Sequence, residues 1–200
     1  FSLNPCALSP DGKWLACSGG DHSPEGLVIW NTEAPAPPLV LPGFRSYTYM
    51  RFSHDSRLLF AYTHNRIAAL ATGTWQAVWS IDRSNQPDSQ HQLAISGDGS
   101  ILAAVEPPST IGLYESATGR SIASIRHPDV RWVGWIALDY SGARLIATTL
   151  PDSVISWDLR TLRRQLKALG LDWHMPPYPP APPHRDFFFR FLLDLPGITH

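Results

Sequence analysis

The chain has 200 residues, 44% of them apolar and only 16% charged, with a formal net charge of −1. That apolar share is enough to bury a core and excludes disorder throughout, and the balanced charge leaves no basic footprint for nucleic acid. No apolar run approaches the roughly 18 residues of a membrane-spanning helix, and two cysteines do not make a disulfide framework.

Nineteen Pro and 14 Gly cut the chain into short runs, and the runs repeat. Leu8-Ser-Pro-Asp-Gly12, Phe52-Ser-His-Asp-Ser56, Ile95-Ser-Gly-Asp-Gly99 and Leu138-Asp-Tyr-Ser-Gly142 begin 44, 43 and 43 positions apart. Each is followed by a short apolar stretch: Trp14-Leu-Ala-Cys17, Leu58-Leu-Phe-Ala61, Ile101-Leu-Ala-Ala104 and Arg144-Leu-Ile-Ala147. A second strand-like run follows in each repeat: Val28-Ile-Trp-Asn31, Ala68-Ala-Leu-Ala71, Gly112-Leu-Tyr-Glu115 and Ile155-Ser-Trp-Asp158. The first repeat reaches its run three residues late, which predicts a loop insertion over 21–26.

Asp-Gly between apolar runs predicts a hairpin with a two-residue type I′ turn. That register pairs Leu8 with Leu15 and Cys6 with Cys17 in repeat one, and Phe52 with Leu59 and Met50 with Ala61 in repeat two. Repeat three then pairs Ile95 with Leu102 and Leu93 with Ala104; repeat four pairs Leu138 with Leu145 and Ile136 with Ala147. All four give an apolar column on one face, and a one-residue slip would mix the faces. Helices are excluded by runs of four to seven residues bounded by Gly, Pro, Asp and Ser.

Short strands at a period near 43 predict four-stranded propeller blades. Here the chain resembles the WD-repeat family, on Leu8-Ser-Pro-Asp-Gly-Lys-Trp-Leu-Ala16, Ile29-Trp-Asn31, Tyr114-Glu-Ser-Ala-Thr-Gly119 and Ser156-Trp-Asp-Leu159. The repeats are degenerate. Only the last keeps a Trp-Asp pair, Trp157-Asp158, and the family's Gly-His dipeptide is missing from all four. The Asp-His-Ser-Trp network of that family is therefore not assigned, and the blades are expected to rest on apolar packing. Residues 157–173 with Met175-Pro-Pro-Tyr-Pro179 look like the end of the repeat region in large planctomycete-type bacterial proteins, some with a serine/threonine kinase domain upstream. That resemblance implies the C-terminal end of a multidomain bacterial protein.

After the repeats the period changes. Leu162, Leu166 and Leu169 fall at i, i+4, i+7 with Arg163, Arg164 and Lys167 between, which predicts one amphipathic helix ended by Gly170. It is expected to pack on the last blade, the alternative being a helix that binds a partner or an anionic surface. Residues 175–183 hold six prolines and predict an extended linker. The run Asp186-Phe-Phe-Phe-Arg-Phe-Leu-Leu-Asp-Leu195 is too short to span a bilayer and hazardous if exposed, so it is expected to dock, preferably within its own chain.

The sequence shows no nucleophile elbow, phosphate loop, calcium loop or zinc motif. Cys6 and Cys17 are expected as small buried apolar residues, with a disulfide as the open alternative. The inner strands offer only Arg51 and Gln92 as polar groups, which argues against chemistry in a central channel. Loops opposite the Asp-Gly turns are the expected partner face, with Asp21, His22, Glu25, His64, Arg66, Glu106 and Asp152 as candidates by position.

The expectation is an all-β fold: a propeller segment of about four four-stranded antiparallel blades, followed by one short C-terminal helix. Blades are placed at about 4–44, 47–88, 90–130 and 132–163, the helix cap at 164–173, the linker at 174–185 and the aromatic tail at 186–200. The expected function is a non-catalytic protein-interaction scaffold in a larger cytoplasmic bacterial protein, without metal, cofactor, nucleic acid or membrane span. A ligand-binding or enzymatic propeller is the alternative. Four blades in an open stack would expose a flank of the first, so upstream blades of the same polypeptide are expected, or a closure by strand swap.

Overall fold

In a computed structural model, residues 5–18, 26–44, 48–83, 92–106, 109–126, 132–149 and 153–180 are described, and they form fifteen strands and one helix. β1 (Cys6–Leu8), β2 (Trp14–Ser18), β3 (Leu27–Asn31) and β4 (Leu39–Leu41) make one antiparallel sheet in chain order. β5 (Tyr49–Phe52), β6 (Leu58–Thr63), β7 (Arg66–Ala71) and β8 (Ala77–Asp82) make the second. β9 (Leu93–Ile95), β10 (Ile101–Glu106), β11 (Thr110–Glu115) and β12 (Ser121–Arg126) make the third. The fourth holds β13 (Val133–Leu138), β14 (Arg144–Thr149) and β15 (Ser153–Asp158). It has three strands rather than four, because Asp158 ends β15 and caps α1 (Leu159–Ala168) in the same step, accepting from the Arg160 and Thr161 N–H groups.

All eight cross-strand pairs expected from sequence are formed. The turn differs from the type I′ expectation. Within each of these turns φ is positive only at Gly12, Ser56, Gly99 and Gly142. Their N–H groups donate to the carbonyls of Ser9, Ser53, Ser96 and Asp139 at 2.8–3.0 Å. One left-handed residue after a reverse turn closes a longer loop, and the preceding aspartate needs no positive φ. The aspartate has a different task. The Ser9, Ser53 and Ser96 hydroxyls donate to Asp11, Asp55 and Asp98 at 2.6 Å and accept from the N–H groups of Trp14, Leu58 and Ile101 at 2.9 Å. These serine bonds hold the Asp11 and Asp55 carboxyls below the usual range.

The sheets stack as blades with one rule. The face carrying the expected apolar column packs on the opposite face of the preceding blade. Met50, Phe52, Leu59 and Ala61 meet Ala16, Leu27 and Ile29; Leu93, Leu102 and Ala104 meet Phe60, Tyr62 and Ile67; Ile136, Leu145 and Ala147 meet Ile101, Ala103 and Val105. Aromatic residues join the seams: Trp14 meets Trp75 edge-on at 5.1 Å, and Trp79 donates to the Ser116 carbonyl at 2.9 Å.

Blade one breaks the burial expectation. Its column face consists of Cys6, Leu8, Leu15, Cys17, Val28, Trp30 and Val40, by register. Leu8 is 59% exposed, because among the described residues no preceding blade covers that face. Cys6 and Cys17 form a disulfide there, so the preferred reading of two buried free thiols is corrected. Their cross-strand register brings the Cα atoms to 4.1 Å.

Candidate functional site

Three sites emerge, and the expected partner face is the first. Asp21, His22, Glu25 and Asp152 lie outside the described residues. His64 sits half-buried in the β6–β7 turn. Arg66 is occupied: its guanidinium lies 4.4 Å over the Phe44 ring and donates to the Gly43 carbonyl at 2.8 Å, tying the blade-one linker to blade two. Glu106 is also committed. It accepts from Arg83 at 3.0 Å and from the Tyr114 hydroxyl, while Tyr62 donates to the Val105 carbonyl at 2.6 Å. Arg83 also lies 5.7 Å over the Tyr62 ring. Burial pushes the Tyr62 hydroxyl up to about 12, and burial followed by the bond to Glu106 raises Tyr114 further. Arg66 and Glu106 are thus seam clamps between blades, and a clamped side chain has fewer donors or acceptors left for a partner. Arg83, Tyr62 and Tyr114 were missed in the sequence, where nothing marks residues on two blades as neighbours.

The second site is the central cleft where β1, β5, β9 and β13 converge. It is a cavity of about 440 Å³ walled by Leu8, Phe52, Ile95 and Leu138, with Arg51 and His54 as its polar side chains. Gln92 and Trp135 line a smaller neighbouring cavity with Arg51. Among the described residues no group of three or more His, Cys, Asp or Glu could hold a metal ion.

The third site lies behind blade four. α1 spans 159–168, several residues earlier than the expected 164–173, and ends as expected on left-handed Gly170. Its buried residues are Leu159 and Arg163, one turn apart, while Leu169 of the expected stripe is 71% exposed. Arg163 is buried because its fork is filled. It meets Asp172 at 2.9 and 3.2 Å and donates to the carbonyls of Pro176 at 2.7 Å, Met175 at 2.8 Å and Trp173 at 3.3 Å. The rings of Trp173 and Tyr178 each lie 5.3 Å from its guanidinium. One planar cation therefore gathers residues 172–178 into a strap. Arg160 adds a bond to the Pro179 carbonyl at 2.9 Å, and Arg120 of blade three reaches the His174 carbonyl at 3.3 Å. Met175, Tyr178 and Leu162 pack on the core between blades three and four.

A groove of about 540 Å³ opens between α1 and the strap, lined by Arg160, Arg164 and Lys167 along the helix and by Trp173, Tyr178 and Pro180 along the strap. Trp173 Nε1 and Tyr178 Oη are shielded from solvent and have no hydrogen-bond partner among the described residues. The signal that sequence reading missed is an arginine at i+4 from Leu159 followed by Asp172.

Searches found no matching family model and no matching curated protein. Among solved structures, Kuenenia stuttgartiensis hydrazine synthase matches with a TM-score of 0.61 and 16% identity. The chain has a β-propeller-like fold. The match covers 78% of this chain and 46% of that one, so this chain spans about half the length of the solved structure it resembles. At that identity the likeness concerns fold alone. No helix among the described residues is long and apolar enough to cross a membrane.

Proposed function

We propose that the chain is a non-catalytic, WD-repeat-type propeller segment serving protein interaction within a larger bacterial protein, of a kind some of whose members carry a kinase domain upstream. The observation that carries this reading is the column face of blade one. Seven apolar or disulfide-bonded positions lie on it, and the same face is buried in the three following blades. Its fitting occupant is another blade presenting an apolar opposite face, as in the three internal seams. The outward face of blade four fits less well, because Arg144, Thr148, Ser156 and Asp158 share it with Ala137, Ile146 and Val154. A further blade is therefore a better match than a second copy of this segment. The Cys6–Cys17 disulfide counts against the expected cytoplasmic location, where thiols are kept reduced.

An antibody to the segment, used on the source cells, should reveal a polypeptide well above 22.2 kDa. A photo-crosslinking residue at Leu8 should join it to a blade elsewhere in that polypeptide. A 22 kDa species whose Leu8 crosslinks to nothing overturns the reading.

The central cleft favours one second reading, a small-molecule site. Its 440 Å³ falls in the ordinary range for ligand pockets, and Arg51 would face an anionic group. Loss of ligand binding in Arg51→Ala would support it over the scaffold reading.

A further inference from the structure

We propose that the aromatic run 186–195 docks in the groove between α1 and the strap of its own chain. The groove is a built surface, since Arg163 holds both walls in place through five hydrogen bonds. Its floor is apolar or aromatic: Trp173, Met175, Pro177 and Tyr178. Its helical wall is cationic, and of Arg160, Arg164 and Lys167 only Arg160 is committed to the strap and blade four, through Pro179 and Ser141. Asp172 is the one acid among the described residues of the lining, and it is paired with Arg163.

The occupant follows from what the chain supplies next. Pro180 is itself part of the lining, and Asp186 lies six residues on, a reach of at most about 20 Å. The run carries Phe187, Phe188, Phe189, Phe191, Leu192, Leu193 and Leu195, bracketed by Asp186 and Asp194 with Arg190 between. Four phenylalanines demand burial. The two carboxylates complement Arg164 and Lys167, and a cavity of 540 Å³ accepts several of the side chains. Docked backbone would also bring carbonyl acceptors towards Trp173 and Tyr178, whose buried polar atoms find none among the described residues.

The chain has two lysines, Lys13 and Lys167, so zero-length carbodiimide crosslinking reads the idea directly. Lys13 lies 4.0 Å from Glu33 and serves as the internal control. In a mixture of isotope-labelled and unlabelled full-length chains, Lys167 should form an amide with Asp186 or Asp194 within one molecule. Trypsin should cut after Arg190 at least about tenfold more slowly than in the free 184–200 peptide, and Arg164→Glu should remove that protection. The proposal is overturned if Lys13–Glu33 forms while Lys167 joins neither acid, if the tail acids crosslink only between molecules, or if Arg190 is cut at the peptide's rate.

Discussion

Removing the Arg163 side chain should detach the strap before it harms the blades. Arg163→Ala leaves the Asp172 carboxylate and the carbonyls of Trp173, Met175 and Pro176 without their shared donor. Arg163 itself is buried, and the hydrogen bonds of a charged donor are worth about 1.5–3 kcal/mol. The Asp172 carboxylate is open to water, so its ion pair adds nothing to that figure. For a chain of this size the loss is a fall in Tm of about 3–12 °C. Amide exchange followed by mass spectrometry should show residues 171–180 exchanging faster while the β5–β6 hairpin stays protected. Arg163→Lys should restore little, because an ammonium cannot fork onto a carboxylate and three carbonyls. The Asp172 carboxyl is held below its ordinary 3.8, chiefly by the bond from Arg163. That contribution is present above pH 4 and is lost as pH falls through the lowered value, so the variant's stability should depend less on acid than the parent's. A melt within about 1 °C of the parent and unchanged strap exchange would refute the hub.

Three further outcomes test the frame. Gly97→Ala puts a methyl 2.6 Å from the Tyr140 Cα, where the turns of blades three and four meet, and should cost about 1–3 kcal/mol in urea unfolding; Gly99→Ala meets no neighbour within 4 Å and should cost only its left-handed strain of about 1 kcal/mol. Equal losses would show that the turns do not touch. Reducing Cys6–Cys17, which closes a short loop of 11 positions, should cost about 2–3 kcal/mol, and coincident urea midpoints with and without reductant would contradict the bridge. Burial raises the Tyr62 hydroxyl to about 12, so folding keeps it neutral: stability should hold below pH 10 and fall between pH 10 and 12. Tyr62→Phe, followed by Tm against pH, should lessen that fall without abolishing it, since burial raises Tyr114 and Tyr178 too, and an unchanged slope would show that Tyr62 ionises freely.

Hairpin geometry was legible from sequence because its causes are local. A period of two, a turn every 43 residues and the serine–aspartate pair at each corner specify which residues face each other, and Cys6↔Cys17 through Ile136↔Ala147 formed as read. The turn type was misread because Asp-Gly fits more than one loop, and the serine bond that selects the longer one is a side-chain matter. Which face is buried belonged to the stack alone. Leu8 and Phe52 occupy the same repeat position, yet one is 59% exposed and the other 8%, since burial depends on the blade next door. Glu106 and Arg66, read from position as partner-face candidates, also clamp seams, and that was invisible for the same reason: Arg83 and Phe44 reach them only after the blades pack. Arg163 shows the limit most clearly. Among the basic residues of a short helix it reads as a surface charge, and only the folded strap, with five acceptors converging on one guanidinium, makes it the buried centre of the C-terminal end.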